Sequence, residues 1–270
     1  MRLRIVFLLV VTGLLSLWGV LRAQRPFKEY PALEYIDFPL PSDWKQPAEW
    51  TRARLKYPDF INFGMGRDVY WTMDYPRSDR HFLAGVRRLT RIDARSVEQV
   101  VELDQTDDIY NWPFVYGVEV GHWRLTEAQV VQFREFFDRG GFFMIDDFHG
   151  TREWQIFTDT MTQVFPEDQQ PIVELENRDS IFHGIYDLND RFQVPGWLAW
   201  FEGGVTYEQD GIEPRWRGIY DKKGRLVVVV CHNMDLGDAW EHSDDPRYPE
   251  KFASLAYRIA MNYVVYDLTH

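Results

Sequence analysis

The chain has 270 residues, 45% of them hydrophobic and 16% aromatic, and carries a formal charge of −12. So large an excess of acid argues against nucleic acid and anionic lipid as partners, because both repel a negative surface. The only cysteine, Cys231, excludes an internal disulfide, so stability must come from packing, for which this length supplies one sizeable core.

Met1-Arg2-Leu3-Arg4 precede an apolar run from Ile5 to Leu21, and the triplet Leu21-Arg22-Ala23 ends in a small residue. This is the pattern of a secretory signal over residues 1–23, cleaved after Ala23. The run is only slightly short of a membrane span, so an uncleaved anchor over residues 5–21 is the competing reading. Either way the body is expected outside the inner membrane, periplasmic or extracellular. A cleaved signal takes Arg2, Arg4 and Arg22 with it, which deepens the net negative charge.

Residues 24–62 contain Pro26, Pro31, Pro39, Pro41, Pro47 and Pro58 with aromatic residues between them. The segment reads as an extended arm, too rich in proline for a regular element and too aromatic for a free linker. It is expected to wrap the domain formed by residues 63–270.

Within that domain Val69 to Met73 can be a strand, and Ser78 is the N-cap candidate of a helix whose face is Phe82, Val86 and Leu89. Val97 to Leu103 and Phe114 to Val120 read as further strands. Thr126 with Gln129 makes a capping box, Val130, Phe133, Phe136 and Phe137 form the stripe of the helix behind it, and Gly140-Gly141 stops it. The apolar run Phe142 to Ile145 follows as a buried strand and leads into Asp146-Asp147-Phe148-His149-Gly150. Thr151 caps a helix bearing Trp154, Phe157, Met161 and Val164. A short strand at Ile172-Val173-Glu174, aromatic loops and a turn at Asp221-Lys222-Lys223-Gly224 come next. Leu226 to Cys231 is a second fully apolar strand, and Pro249 opens a last helix with Phe252, Leu255, Ala256, Ile259 and Tyr263 on its core face. Strands alternating with helices of this length predict an α/β fold, with a mostly parallel sheet and helices on both faces.

The segment from Leu125 through Gly140-Gly141 and the apolar strand resembles the corresponding unit of trehalose-utilisation (ThuA-like) proteins and class I glutamine amidotransferase-like domains. A closer resemblance covers nearly everything after Asp59. The stretches YPRSDRHFLAGVRRLTRIDARS, RGGFFMIDDFHGTREW, CHNMDLGDAW and DDPRYPEKFASLAYRIAMNYVVY resemble the bacterial domain-of-unknown-function family 4159. This resemblance implies a three-layer α/β/α, doubly wound, flavodoxin-like domain of the amidotransferase-like kind. It also implies envelope protein partners, since many members are encoded near MoxR-type ATPases and von Willebrand A-domain proteins. Amidotransferases place a nucleophilic cysteine on the turn after the strand equivalent to Phe142 to Ile145, where this chain has Asp146 and Asp147. Cys231 closes a different strand, so a thioester route is not expected. His232 falls near the position of the triad histidine in those enzymes.

Two polar clusters therefore stand at the carboxyl ends of buried strands, the edge at which open α/β sheets bind ligands. Asp146 and Asp147 with His232 are the candidate acid and base, and His122, His149, Asn233, Asp235 and Trp240 are candidate ligand contacts for a carbohydrate or small polar molecule. Successive strand residues point to opposite faces, so only one of the two aspartates enters the crevice unless the chain turns sharply between them. The blander reading of each cluster is turn chemistry: carboxylates and Asn233 accepting backbone N–H bonds, and a satisfied strand-end histidine. Aspartate and histidine are hard-to-borderline metal ligands, yet no HExxH-like spacing is present, and no metal ligand set is assigned. No phosphate loop, Rossmann glycine fingerprint or serine elbow is present, so no cofactor is expected. The leading expectation is a ligand- or partner-binding domain of the cell envelope. The alternative is a carbohydrate-directed hydrolase or isomerase using an Asp/His pair, with or without a metal.

Overall fold

A computed structural model describes residues 25–270 apart from 33, 36–37, 60–68 and 167–171. The signal or anchor expected over residues 1–23 lies outside the described residues. No helix among those described is long and apolar enough to cross a membrane.

Among the described residues seven strands form one sheet: β1 (Ala53–Lys56), β2 (Gln99–Glu102), β3 (Phe114–Val118), β4 (Phe142–Asp146), β5 (Val173–Glu174), β6 (Arg215–Tyr220) and β7 (Leu226–His232), in the order β2-β1-β3-β4-β7-β6-β5. The pairings from β2 through β7 are parallel, and β6 is antiparallel to both β7 and β5. Among the described residues six α-helices accompany them: α1 (Arg77–Leu89), α2 (Glu127–Asp138), α3 (Gly150–Val164), α4 (Trp197–Gly203), α5 (Leu236–Glu241) and α6 (Glu250–Thr269). The expected mixed α/β class with a mostly parallel sheet is what the chain adopts.

Alternation along the strands divides the core in two, as the period of two requires. Phe114, Tyr116, Met144, Val229 and Cys231 pack on one face with α1, α5 and α6. Val115, Phe143, Ile145, Val228 and Val230 pack on the other with α2 and α3. The capping box predicted at Thr126 and Gln129 is formed in full.

The strand ends differ from expectation where polar chemistry takes over. Tyr70–Thr72, read as part of a strand, is a single 3-10 turn, because the Asp59 carboxylate accepts the Val69 and Tyr70 N–H groups and holds them away from any neighbouring strand. Ser78 lies inside the first turn of α1, which starts after Pro76, and His149 rather than Thr151 is the N-cap of α3. The largest correction is β1. It falls in the segment expected to be an irregular arm, yet it pairs with both β2 and β3. Ala53 and Leu55 face the core of α2 and α3, while Arg52 and Arg54 are wholly buried on the other face, where Asp79 of α1 neutralises both at 2.7–2.8 Å. The preceding residues do lie along the body: Arg25 reaches Asp104, Glu29 reaches Arg80, Tyr30 packs edge-on to Trp71, and Asp43 pairs with Arg87.

Candidate functional site

The carboxyl ends of β1, β3, β4 and β7 share one edge of the sheet, and the chemistry predicted from the sequence gathers there. Asp146 ends β4 opposite Val118, fully buried. Its Oδ2 accepts the N–H groups of Leu236 (2.7 Å) and Gly237 (2.8 Å) and the Tyr116 hydroxyl (3.3 Å), which ties the start of α5 to β4. Burial pushes its carboxyl up to about 7, against the pull of the Gly237, Asp147 and Leu236 amides.

Asp147 takes the left-handed conformation, with φ 50°. The chain therefore makes the sharp turn that lets both aspartates approach the same region. Its N–H donates to the Met234 carbonyl (3.0 Å), its own carbonyl accepts the Glu119 N–H (3.0 Å), and its Oδ1 lies 3.3 Å from Nε2 of His149. Glu119 and Asn233, which leave β3 and β7, are left-handed as well, at φ 53° and 63°. Three neighbouring strands thus end in the same strained turn, a costly arrangement that is typical of sites.

Not every predicted residue belongs to this group. The His232 ring lies against Phe148 and Trp154, with centroids 4.8 Å away in each case. Its Nδ1 accepts from Arg217 (3.0 Å) and its Nε2 donates to the Gly150 carbonyl (3.2 Å), so both nitrogens are committed away from the aspartates. Burial and the Arg217 charge depress it to about 4, so the ring is neutral near pH 7. Asn233 braces the turn, accepting from Gly150 N–H (2.9 Å) and donating to the Glu213 carbonyl (2.8 Å). Trp240 is completely buried against Phe82 and Tyr116, which removes it as a ligand platform. Cys231 is buried beside the Tyr263 hydroxyl (3.8 Å), and burial pushes its thiol well above the ordinary range.

What the edge does assemble has an inner and an outer part. Inside, Asp147 stands with Asp74 and Asp235, one oxygen of each lying within 4.8 Å of the others, and all three are buried. Asp235 also caps α5 through Asp238 N–H (2.7 Å). Burial, then the charges of neighbouring carboxylates, push all three carboxyls well above their ordinary range. His149 beside them is driven down to about 3 by burial and by His232, so it is neutral.

Outside lies a cleft of about 650 Å³ lined by Tyr70, Gly121, His122, Arg152, Glu153, Ile156 and Gln209. Tyr70 stacks on the His122 ring with centroids 3.7 Å apart and planes 5° from parallel. His122 Nδ1 meets Glu119 Oε2 at 3.0 Å, and its Nε2 lies 3.8 Å from Glu153 Oε1. Burial opposes charge on this ring, but the Glu119 hydrogen bond and the charges of Glu119 and Glu153 outweigh it and raise its pKa. Glu153 is held from behind by the His149 N–H and by the Gln209 amide. Gly121 lets α3 approach this closely: a methyl group there would lie 2.3 Å from Glu153 Cβ. His122 is legible in the sequence, whereas Tyr70, Glu119, Glu153 and Asp74 gain their places only from the fold. For Glu119 the available signal was its place at the end of an apolar strand.

The family model described as Domain of unknown function (DUF4159) matches residues 52–268. No curated protein matches the chain.

Proposed function

The chain belongs to the family described as Domain of unknown function (DUF4159), and from that premise we propose an exported ligand-binding domain that keeps the position of an amidotransferase-like crevice without thioester chemistry. The strand order β2-β1-β3-β4-β7, with helices on both faces, supports a three-layer, doubly wound, flavodoxin-like core. The basic and apolar leader supports export, and the family resemblance supports a place among envelope proteins.

One observation carries the reading: the cleft over His122 sits where the turns after β3 and β4 meet, at the ligand-binding edge of such sheets. Its walls combine an aromatic face, a guanidinium, a held carboxylate and an amide. That mixture suits a small polar molecule, including a sugar, whose hydroxyls need fixed donors and acceptors and whose apolar face needs a ring.

The Glu119–His122–Glu153 contact favours a second reading, acid–base catalysis on such a ligand. A histidine held between two carboxylates can exchange a proton near neutral pH. In this reading the Asp/His pairing expected with His232 gives way to the glutamates around His122.

Binding is tested by thermal shift and saturation-transfer NMR of the full chain against a library of sugars and polar metabolites, repeated with His122→Ala and Glu153→Gln. The expected result is at least one ligand whose binding is lost in both variants while the fold is kept. A library without hits, or binding unchanged in both variants, overturns the reading. Turnover of that ligand, abolished by His122→Ala, would decide for the catalytic version.

A further inference from the structure

The inner carboxylates have a feature that hydrogen bonding within the chain does not explain. Asp74, Asp147 and Asp235 come from three separate turns, after the 3-10 turn Tyr70–Thr72, after β4 and before α5. They are only 5%, 7% and 4% exposed. Among the described residues none of the three is in a salt bridge with lysine or arginine. The nearby Arg54 is spent on Asp79 and on the Trp71 (3.1 Å) and Met73 (3.0 Å) carbonyls, bonds that fix the backbone leading into Asp74.

A second observation is independent of the clustering. Asp74 Oδ2 is completely buried and has no hydrogen-bond partner among the described residues. It points to the start of α5 beside Asp235: a methyl group on Gly237 would lie 2.1 Å from Asp74 Oδ2 and 3.3 Å from Asp235 Oδ1. A buried carboxylate oxygen with nothing to accept from costs several kcal/mol or more unless a cation or proton meets it.

We propose that Asp74, Asp147 and Asp235 bind one calcium ion at the carboxyl edge of the sheet. The ligand set is three carboxylate oxygens, which selects hard cations over zinc or copper. The three oxygens lie within 4.8 Å of one another, close enough for a single cation between them to be shared by all three. Three protein carboxylates suit calcium, which takes about six to eight oxygens in flexible geometry, better than magnesium, which demands a near-ideal octahedron and usually keeps several waters with one or two carboxylates. Water completes the coordination. The inference stands on the inner carboxylates alone and not on the reading of the outer cleft.

The test is calorimetric titration of the full chain, freed of metal with chelator, using calcium, magnesium and manganese chlorides in parallel, on wild type, Asp74→Asn and Asp235→Asn. Expected is saturable, chelator-reversible uptake of one calcium per chain with a rise in Tm, weakened at least about tenfold in each variant. Both asparagine variants remove a buried like charge and keep the side-chain shape, so cooperative melting is expected to survive. No saturable uptake, uptake of magnesium or manganese but not calcium, or equal uptake in both variants overturns the proposal. Should a variant fail to fold, a calcium-soaked crystal of the wild type decides: an anomalous peak among the three carboxylates supports the site, and its absence there refutes it. The ligand screen at His122 can fail without touching this result, and the reverse also holds.

Discussion

Asp146 and Asp147 are neighbours with the same side chain and opposite tasks. Asp146 spends one oxygen on two backbone amides of α5 and a tyrosine hydroxyl. Asp147 sets one oxygen beside a histidine and stands close to two other aspartates. Removing the first should act on stability: Asp146→Ala strands the Leu236 and Gly237 amides in a dry environment and is expected to cost about 1–3 kcal/mol in urea denaturation. A loss below the error of the measurement would show that water replaces the carboxylate. Apolar runs ending in Asp146 and His232 made these strand ends visible in the sequence, and the glycine pair before β4 fixed its start. Whether an end residue faces a ligand or braces a turn was not visible, because that depends on the other turns it meets. His232 and Asn233 proved to be braces for this reason, and Asp74 became significant only through two distant aspartates.

At the scale of elements, the hidden strand is the instructive case. The sequence Arg52-Ala53-Arg54-Leu55 alternates correctly for β1, but a reader expects the arginine face to be solvated. Asp79, one helix away, makes the difference by pairing with both guanidiniums. Arg52 also lies over the Phe82 and Tyr116 rings, at 4.2 and 4.3 Å. Asp79→Ala would leave two buried cations without a counter-charge, and a loss of about 3–5 kcal/mol is expected in the same denaturation assay. Because Arg54 also holds the carbonyls before Asp74, that variant should weaken cation uptake in any fraction that still folds. By contrast β3, β4, β7, α2 and α6 were legible because a fully apolar run or a capped amphipathic stripe needs no distant partner to be read. The short α4 and α5 are not legible because neither spans two turns, too little for a period to appear.

For the molecule as a whole, the concentration of buried acid at one edge should set the response to pH. Burial and the Glu34 charge push Glu241 up to about 8, and burial with the Glu119 charge pushes Glu208 up to about 7. A carboxyl whose pKa is higher folded than unfolded favours the folded state while protonated, and that contribution is lost as pH rises through the folded value. His122 and His242 act in the same direction: burial opposes their charge, but carboxylate partners raise both. The depressed His149 and His232 oppose this only below about pH 6.5, where they would protonate if unfolded. Stability in chelator-containing buffer should therefore fall between about pH 6.5 and 8, and a flat or rising Tm across that window would contradict the charge arrangement. The proposed ligand at this edge would offset its unfavourable charge. Crystallographic mapping with small polar fragments, soaked into crystals of the full chain, tests that claim most directly. Fragments are expected to cluster over Tyr70 and His122 at the carboxyl edge of the sheet, whereas fragments bound only elsewhere, with that cleft bare, would contradict it.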